Sequence, residues 1–203
     1  LVSPSWRIEP EEKIYKGITS ILYKIHTPQK TLTMKVRKDP DTTWLLEPLI
    51  KEKTDIEIFA EYAPVPLCDT EEVNRSASKF GNRGIIRGAI PGFDIFGQPG
   101  CWQDAAALYG IETLIMATFS DPKWVHAFLQ ILCGRKLKYA ESTEGAAFDL
   151  IELGGGDAST TVISPKIFET FVAPYDSRII QSCRRMGQRI VYHTCGGMMP
   201  ILE

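Results

Sequence analysis

The sequence is poor in the features that most quickly betray a function. Its 203 residues carry 23 Lys and Arg against 25 Asp and Glu, a formal charge of −2. A balance so close to neutral gives no global pull toward nucleic acid or an anionic membrane. No apolar run reaches bilayer-spanning length, because charges, glycines or prolines interrupt each one. The first residues, LVSPSWRIEPEEK, lack a basic segment followed by an apolar one, so no secretory signal is visible. The chain opens on Leu1 rather than methionine, which leaves processing, trimming or a longer parent open. The cysteines, at 68, 101, 133, 183 and 195, are odd in number and widely spaced. That argues against a disulfide framework and for reduced thiols in the cytoplasm. CxxC pairs, GxGxxG and the Gly-Lys-Ser/Thr ending of a phosphate loop are all missing, although Gly154–Gly156 superficially suggests the last.

What is present reads as one ordinary globular unit. ILYKIHTP and TLTMKVRK alternate apolar and polar residues around a turn at 26–30 and predict an antiparallel ribbon over 13–37. His26 reads as a solvent-facing turn residue. A short helix follows within KEKTDIEIFAEYAP, capped by Thr54 or Asp55 and stopped by Pro64 and Pro66. Residues 69–80 are polar and helical, 84–92 a buried strand, and 91–100 a Gly/Pro-rich connection. Phe93 and Phe96 in that connection either line a pocket or cover the end of the core. A helix is expected over 102–118, and Asp121-Pro122 starts another, with Trp124, Phe128 and Ile131 or Leu132 on its core stripe. His126 falls off the stripe and receives no role; Cys133 reads as packing.

Ala147–Leu153 is the next strand, ending in Glu152 and then Gly154–Gly156 and Asp157. Each acid either orients a ligand or faces solvent. Ser164-Pro165 begins a helix, re-capped at Pro174, that Gly187 ends. From residue 84 the order strand, helices, strand, helix, strand implies a parallel sheet covered by helices. Function then gathers at the carboxyl ends of its strands, at 91–97, 152–160 and 193–198.

The last of these stretches is RIVYHTCGG, 189–197. In an extended segment Val191, His193 and Cys195 share one face, and Ile190, Tyr192 and Thr194 the other. Gly196 and Gly197 free the chain to turn. Imidazole and thiolate two residues apart suit zinc. The bland alternative is a small buried cysteine beside a histidine bonded to a carbonyl.

The strings ISPKIFETFVAPYDSRII, RMGQRIVYHTCGG and EGAAFDLIELGGGDAS resemble the uroporphyrinogen decarboxylase superfamily, most closely its corrinoid-dependent methylcobamide:coenzyme M methyltransferases. TPQKTL…W…LEPLIKEKTD and SDPKWVHAFLQ fit as well. The resemblance implies an α/β fold of the (β/α)8 TIM-barrel type. Over 1–203 it implies a single partial domain, with a β-hairpin and linker region at 1–66 and βα units over 67–203. It implies that His193 and Cys195 bind zinc, with a further cysteine beyond Glu203 completing the set. It implies methyl transfer from a free methylcobamide or corrinoid protein to a small thiol. Glu152 and Asp157 then serve as catalytic carboxylates, and Phe93 and Phe96 line the cofactor pocket. Tetrapyrrole-carboxylate decarboxylation and non-catalytic corrinoid or tetrapyrrole binding are the alternatives. The segment alone is expected to hold zinc poorly, to lack activity and to self-associate through uncovered sheet edges.

Overall fold

The computed structural model of the chain describes residues 3–93 and 99–202. Strands β1 (Arg7–Tyr15), β2 (Ile18–His26), β3 (Thr31–Lys38) and β4 (Thr43–Glu47) form an antiparallel sheet in that order. The expected two-stranded ribbon thus has a further strand on each side. Ile21 and Ile25 of β2 and Leu32, Met34 and Val36 of β3 are buried, while their neighbours alternate outward. That is the pattern of a sheet with one face on the core. Lys16 and Gly17 join β1 to β2 with φ of 49° and 78°, the two positive values a tight hairpin turn requires. His26 is not a free turn residue. It ends β2, and its Nε2 lies 3.0 Å from Glu9 Oε2.

Helix α1 (Asp55–Tyr62) packs Phe59 against Trp6, ring edge to face, at 5.9 Å. Asp55 rather than Thr54 organises its start: Oδ2 accepts the Lys51 and Glu52 N–H groups at 3.0 Å. Burial pushes the Asp55 carboxyl up, but Lys30 and these two N–H donors together hold it below its usual range. Helix α2 (Thr70–Phe80) follows, capped by Asp69 through Glu72 N–H.

The second sheet is parallel, β5 (Arg87–Ala89), β6 (Leu150–Gly154) and β7 (Ile190–His193), in the order β5-β6-β7. Between β5 and β6 run α3 (Cys101–Tyr109), α4 (Ile111–Ser120) and α5 (Pro122–Glu141). The single helix expected over 102–118 is broken at Gly110, whose φ of 89° no helix accommodates. Asp121 caps α5 and Pro122 occupies its first turn, as expected. Between β6 and β7, α6 (Pro165–Ile167) passes through a π-helical turn (Phe168–Val172) into α7 (Ala173–Arg185). Pro174 has no N–H and its ring crowds the preceding turn, so that turn widens rather than continuing as α-helix.

Ile90, Ile151 and Leu153 of the sheet region and Trp102, Leu108, Phe128, Leu129 and Ile179 of the helices are wholly buried and form the core. An ion pair lies within it. Lys136 Nζ is 2.9 Å from Asp104 Oδ2 and also donates to Pro91 O, while Asp104 Oδ1 accepts from Phe93 N–H. Among the described residues the parallel sheet has three strands and no closed barrel is formed. No helix there is long and apolar enough to cross a membrane.

Candidate functional site

The site begins with how β7 is held. Ile190 and Tyr192 turn toward the helices, and Val191 and His193 to the open face. Val191 is therefore 45% exposed. Tyr192 is locked from behind: its hydroxyl donates to Asp176 Oδ2 on α7 at 2.9 Å. Asp176 Oδ1 accepts the Cys101 N–H at the start of α3, also at 2.9 Å. Burial pushes the Asp176 carboxyl up, against the pull of those two donors and Lys136.

On the open face, His193 lies between two partners. Its Nδ1 is 3.2 Å from Glu152 Oε1 on the neighbouring strand, and its Nε2 is 3.6 Å from Cys195 Sγ. Glu152 is almost wholly buried, and its Oε2 sits 2.5 Å from Arg87 Nη1 on β5. One carboxylate thus spans all three strands and fixes the imidazole from the side opposite the thiol. With zinc–nitrogen and zinc–sulfur bonds of about 2.0 and 2.3 Å at tetrahedral angles, donors of one site lie about 3.5 Å apart. The His193–Cys195 spacing fits that edge, and a carboxylate on the far ring nitrogen is the usual support of a ligating histidine. Glu152 supports the ring rather than joining the pair. Among the described residues no group of three His, Cys, Asp or Glu side chains is arranged to hold a metal. Cys101, Cys133 and Cys183 are buried, and Cys68 is partly exposed.

Gly154–Gly156 packs against this pair. Gly154 pairs with His193 across the sheet and has φ of 142°; a Cβ there would collide with the His193 carbonyl oxygen. Gly155 donates its N–H to that oxygen at 2.9 Å, with φ of 144°. A Cβ on Gly156 would stand 3.1 Å from Cys195 Sγ. The triple glycine therefore serves close backbone approach. Asp157 follows it, and Gln103 on α3 grips this residue twice. Gln103 Nε2 donates to Asp157 Oδ2 at 2.7 Å, and Oε1 accepts the Asp157 N–H at 2.9 Å. Burial raises the Asp157 carboxyl, partly offset by the Gln103 donor.

His193, Cys195, Asp157 and Gln103 line one cleft of about 740 Å³, which Leu45 and Leu46 of β4 also line. That volume lies within the range of small-molecule sites. Glu152 reaches this group through His193. Phe93 does not: it packs edge-to-face on Trp6 and Phe59 and lines a separate cavity of about 240 Å³. Phe96 lies outside the described residues. Gln103 had no signal in the sequence, since a glutamine on a helix is ordinary and its partner lies 54 residues away. His126, given no role from its spacing, stacks on Phe171 and bonds the Tyr175 hydroxyl at 2.8 Å, away from the cleft.

The uroporphyrinogen decarboxylase (URO-D) family matches residues 19–203, and the chain belongs to that family. Among solved structures it is similar to a methyltransferase from Methanosarcina mazei, with a TM-score of 0.59 and 19% identity. The match covers 79% of this chain and 45% of that one, so the chain spans less than half the length of that protein. The likeness establishes a shared α/β fold. No curated protein matches the chain.

Proposed function

We propose that the whole protein transfers a methyl group from a methylated corrinoid to a small thiol at a zinc centre. His193 and Cys195 supply two of its protein ligands. The observation that carries this reading is the 3.6 Å separation of His193 Nε2 and Cys195 Sγ, with Glu152 on the other ring nitrogen. Bound there, zinc supplies Lewis acidity that keeps a substrate thiol ionised and nucleophilic near neutral pH. The chain's own residues do the rest. Glu152 keeps a proton on His193 Nδ1 and so leaves Nε2 as the donor atom. Asp157, in the lining of the cleft, serves as acceptor for the departing thiol proton. Leu45 and Leu46 add apolar surface to that lining. The partial barrel and its region boundaries, the cytoplasmic setting, the corrinoid protein or free methylcobamide as donor and self-association of the segment all belong to this proposal.

Decarboxylation of a tetrapyrrole carboxylate is the second reading, and the comparisons speak for it more directly. It has the family's name in its favour, and no third metal-binding side chain joins His193 and Cys195 among the described residues. Asp157, with its raised carboxyl in the cleft lining, is then the group that meets the substrate. One experiment separates the two on the full-length protein. Methyl transfer from methylcobalamin to a panel of small thiols and consumption of uroporphyrinogen are followed side by side, with and without a chelator. Chelator-sensitive methyl transfer is expected. Chelator-insensitive loss of uroporphyrinogen carboxylates, without methyl transfer, would replace the first reading with the second.

A further inference from the structure

The loop 154–157 is gripped from two sides. On one side stand His193 and Cys195, in contact with Gly154 and Gly156. On the other stands the first turn of α3. Gly100 N–H donates to Gly154 O at 2.6 Å, and Trp102 Nε1 donates to Asp157 O at 3.0 Å. Gln103 lies so close over Gly155 that a Cβ there would strike its side chain. Its carboxamide is the only one of these groups that bonds both the backbone and the carboxylate of Asp157, donating to one and accepting from the other. A carboxamide has one donor end and one acceptor end. Here each end has the partner it needs, and the amide cannot be reversed without losing both bonds.

We propose that Gln103 is the positioning residue of this site: by clamping Asp157 and the triple glycine it sets the seat of Cys195 and holds the Asp157 carboxylate in the lining of the cleft. Its link to metal binding rests on the zinc reading above; its link to the position of Cys195 does not. Among the described residues Gln103 bonds Asp157 rather than His193 or Cys195, and it acts through the loop.

The clamp has a reciprocal test. In the full-length protein, Gln103→Glu changes almost no volume but sets two carboxylates against each other. Adding Asp157→Asn restores complementarity, because the new carboxylate at 103 accepts both the backbone N–H and the side-chain N–H of residue 157. Two readouts are taken: affinity for Co²⁺ with its thiolate-to-cobalt absorption, and the alkylation rate of Cys195 in metal-free protein, measured against Cys195→Ser. Gln103→Glu is expected to weaken Co²⁺ binding about 10–100-fold, as loss of a supporting residue does, and to speed alkylation severalfold. The double variant is expected to recover both. If the wild type takes no Co²⁺, the zinc reading fails and alkylation alone decides the clamp. Alkylation unchanged in Gln103→Glu, or a folded double variant no closer to wild type than the single, overturns the proposal. Should the single variant unfold, a double variant that stays unfolded overturns it as well.

Discussion

Replacing Gly154 with alanine is expected to cost the protein about 2–6 kcal/mol. The first part is backbone strain, about 1–3 kcal/mol for a side chain forced into a sparsely populated φ/ψ region, here φ of 142°. The second is overpacking, about 1–3 kcal/mol, because the new methyl meets the His193 carbonyl oxygen rather than a side chain that can swing away. The sum is a large fraction of a domain's stability of about 5–15 kcal/mol. The chain relieves the clash by pushing β7 from β6, which draws His193 away from Glu152. Gly145→Ala is the control. Its φ is also positive, 75°, but nothing stands within 4 Å, so only strain of about 1–2 kcal/mol remains. Denaturant melts of both variants check this; equal losses would show that the approach of β7 is not what Gly154 serves.

A loss of similar size is expected from Lys136→Met. Lys136 and Asp104 are both nearly inaccessible, and the lysine pairs directly with that carboxylate at 2.9 Å, with Arg135 also within its electrostatic reach. Removing one partner of a buried pair leaves the other charged in a poor solvent, at about 3–5 kcal/mol. The methionine stem fills the space of the lysine stem, so little of the loss is cavity. Asp104→Asn added to Lys136→Met is expected to recover most of it, since the amide oxygen still accepts the Phe93 N–H. A double variant no more stable than the single would mean that packing, and not the stranded charge, sets the cost.

The parts of the fold that were legible in the sequence are those written in local pattern. Alternation in ILYKIHTP and TLTMKVRK marks β2 and β3 because one face of each is buried. Asp121-Pro122 and Ser164-Pro165 mark helix starts because capping is local chemistry. β1 was obscure: Glu9, Pro10, Glu11 and Glu12 carry little strand propensity, and the strand exists because β2 pairs with it along its length. The break at Gly110 was obscure for the opposite reason, since good helix formers stand on both sides of it.

The site divides the same way. His193 and Cys195 were readable as a pair because they stand two residues apart at a strand end, although β7 stops at His193 and Cys195 meets it from the bend that follows. Glu152 was readable as a strand-end acid, although its bond to His193 Nδ1 needs the parallel register of β6 and β7. The triple glycine could not be interpreted, because each glycine answers to a distant residue: His193, Gln103 or Cys195. Phe93 was open between two roles, and it takes part in both: it packs on Trp6 and Phe59 and lines a cavity separate from the cleft. Spacing carries no information about such partners; only the folded chain brings them together.

The proposed methyl transfer requires His193 and Cys195 to be two ligands of one zinc ion. Zinc content and affinity of the full-length protein, measured beside His193→Ala and Cys195→Ala with folding checked on the same samples, test it most directly. One tightly held zinc per chain is expected in the wild type, with its loss from both folded variants. Zinc retained unchanged in both, or a wild type that holds none, would contradict it.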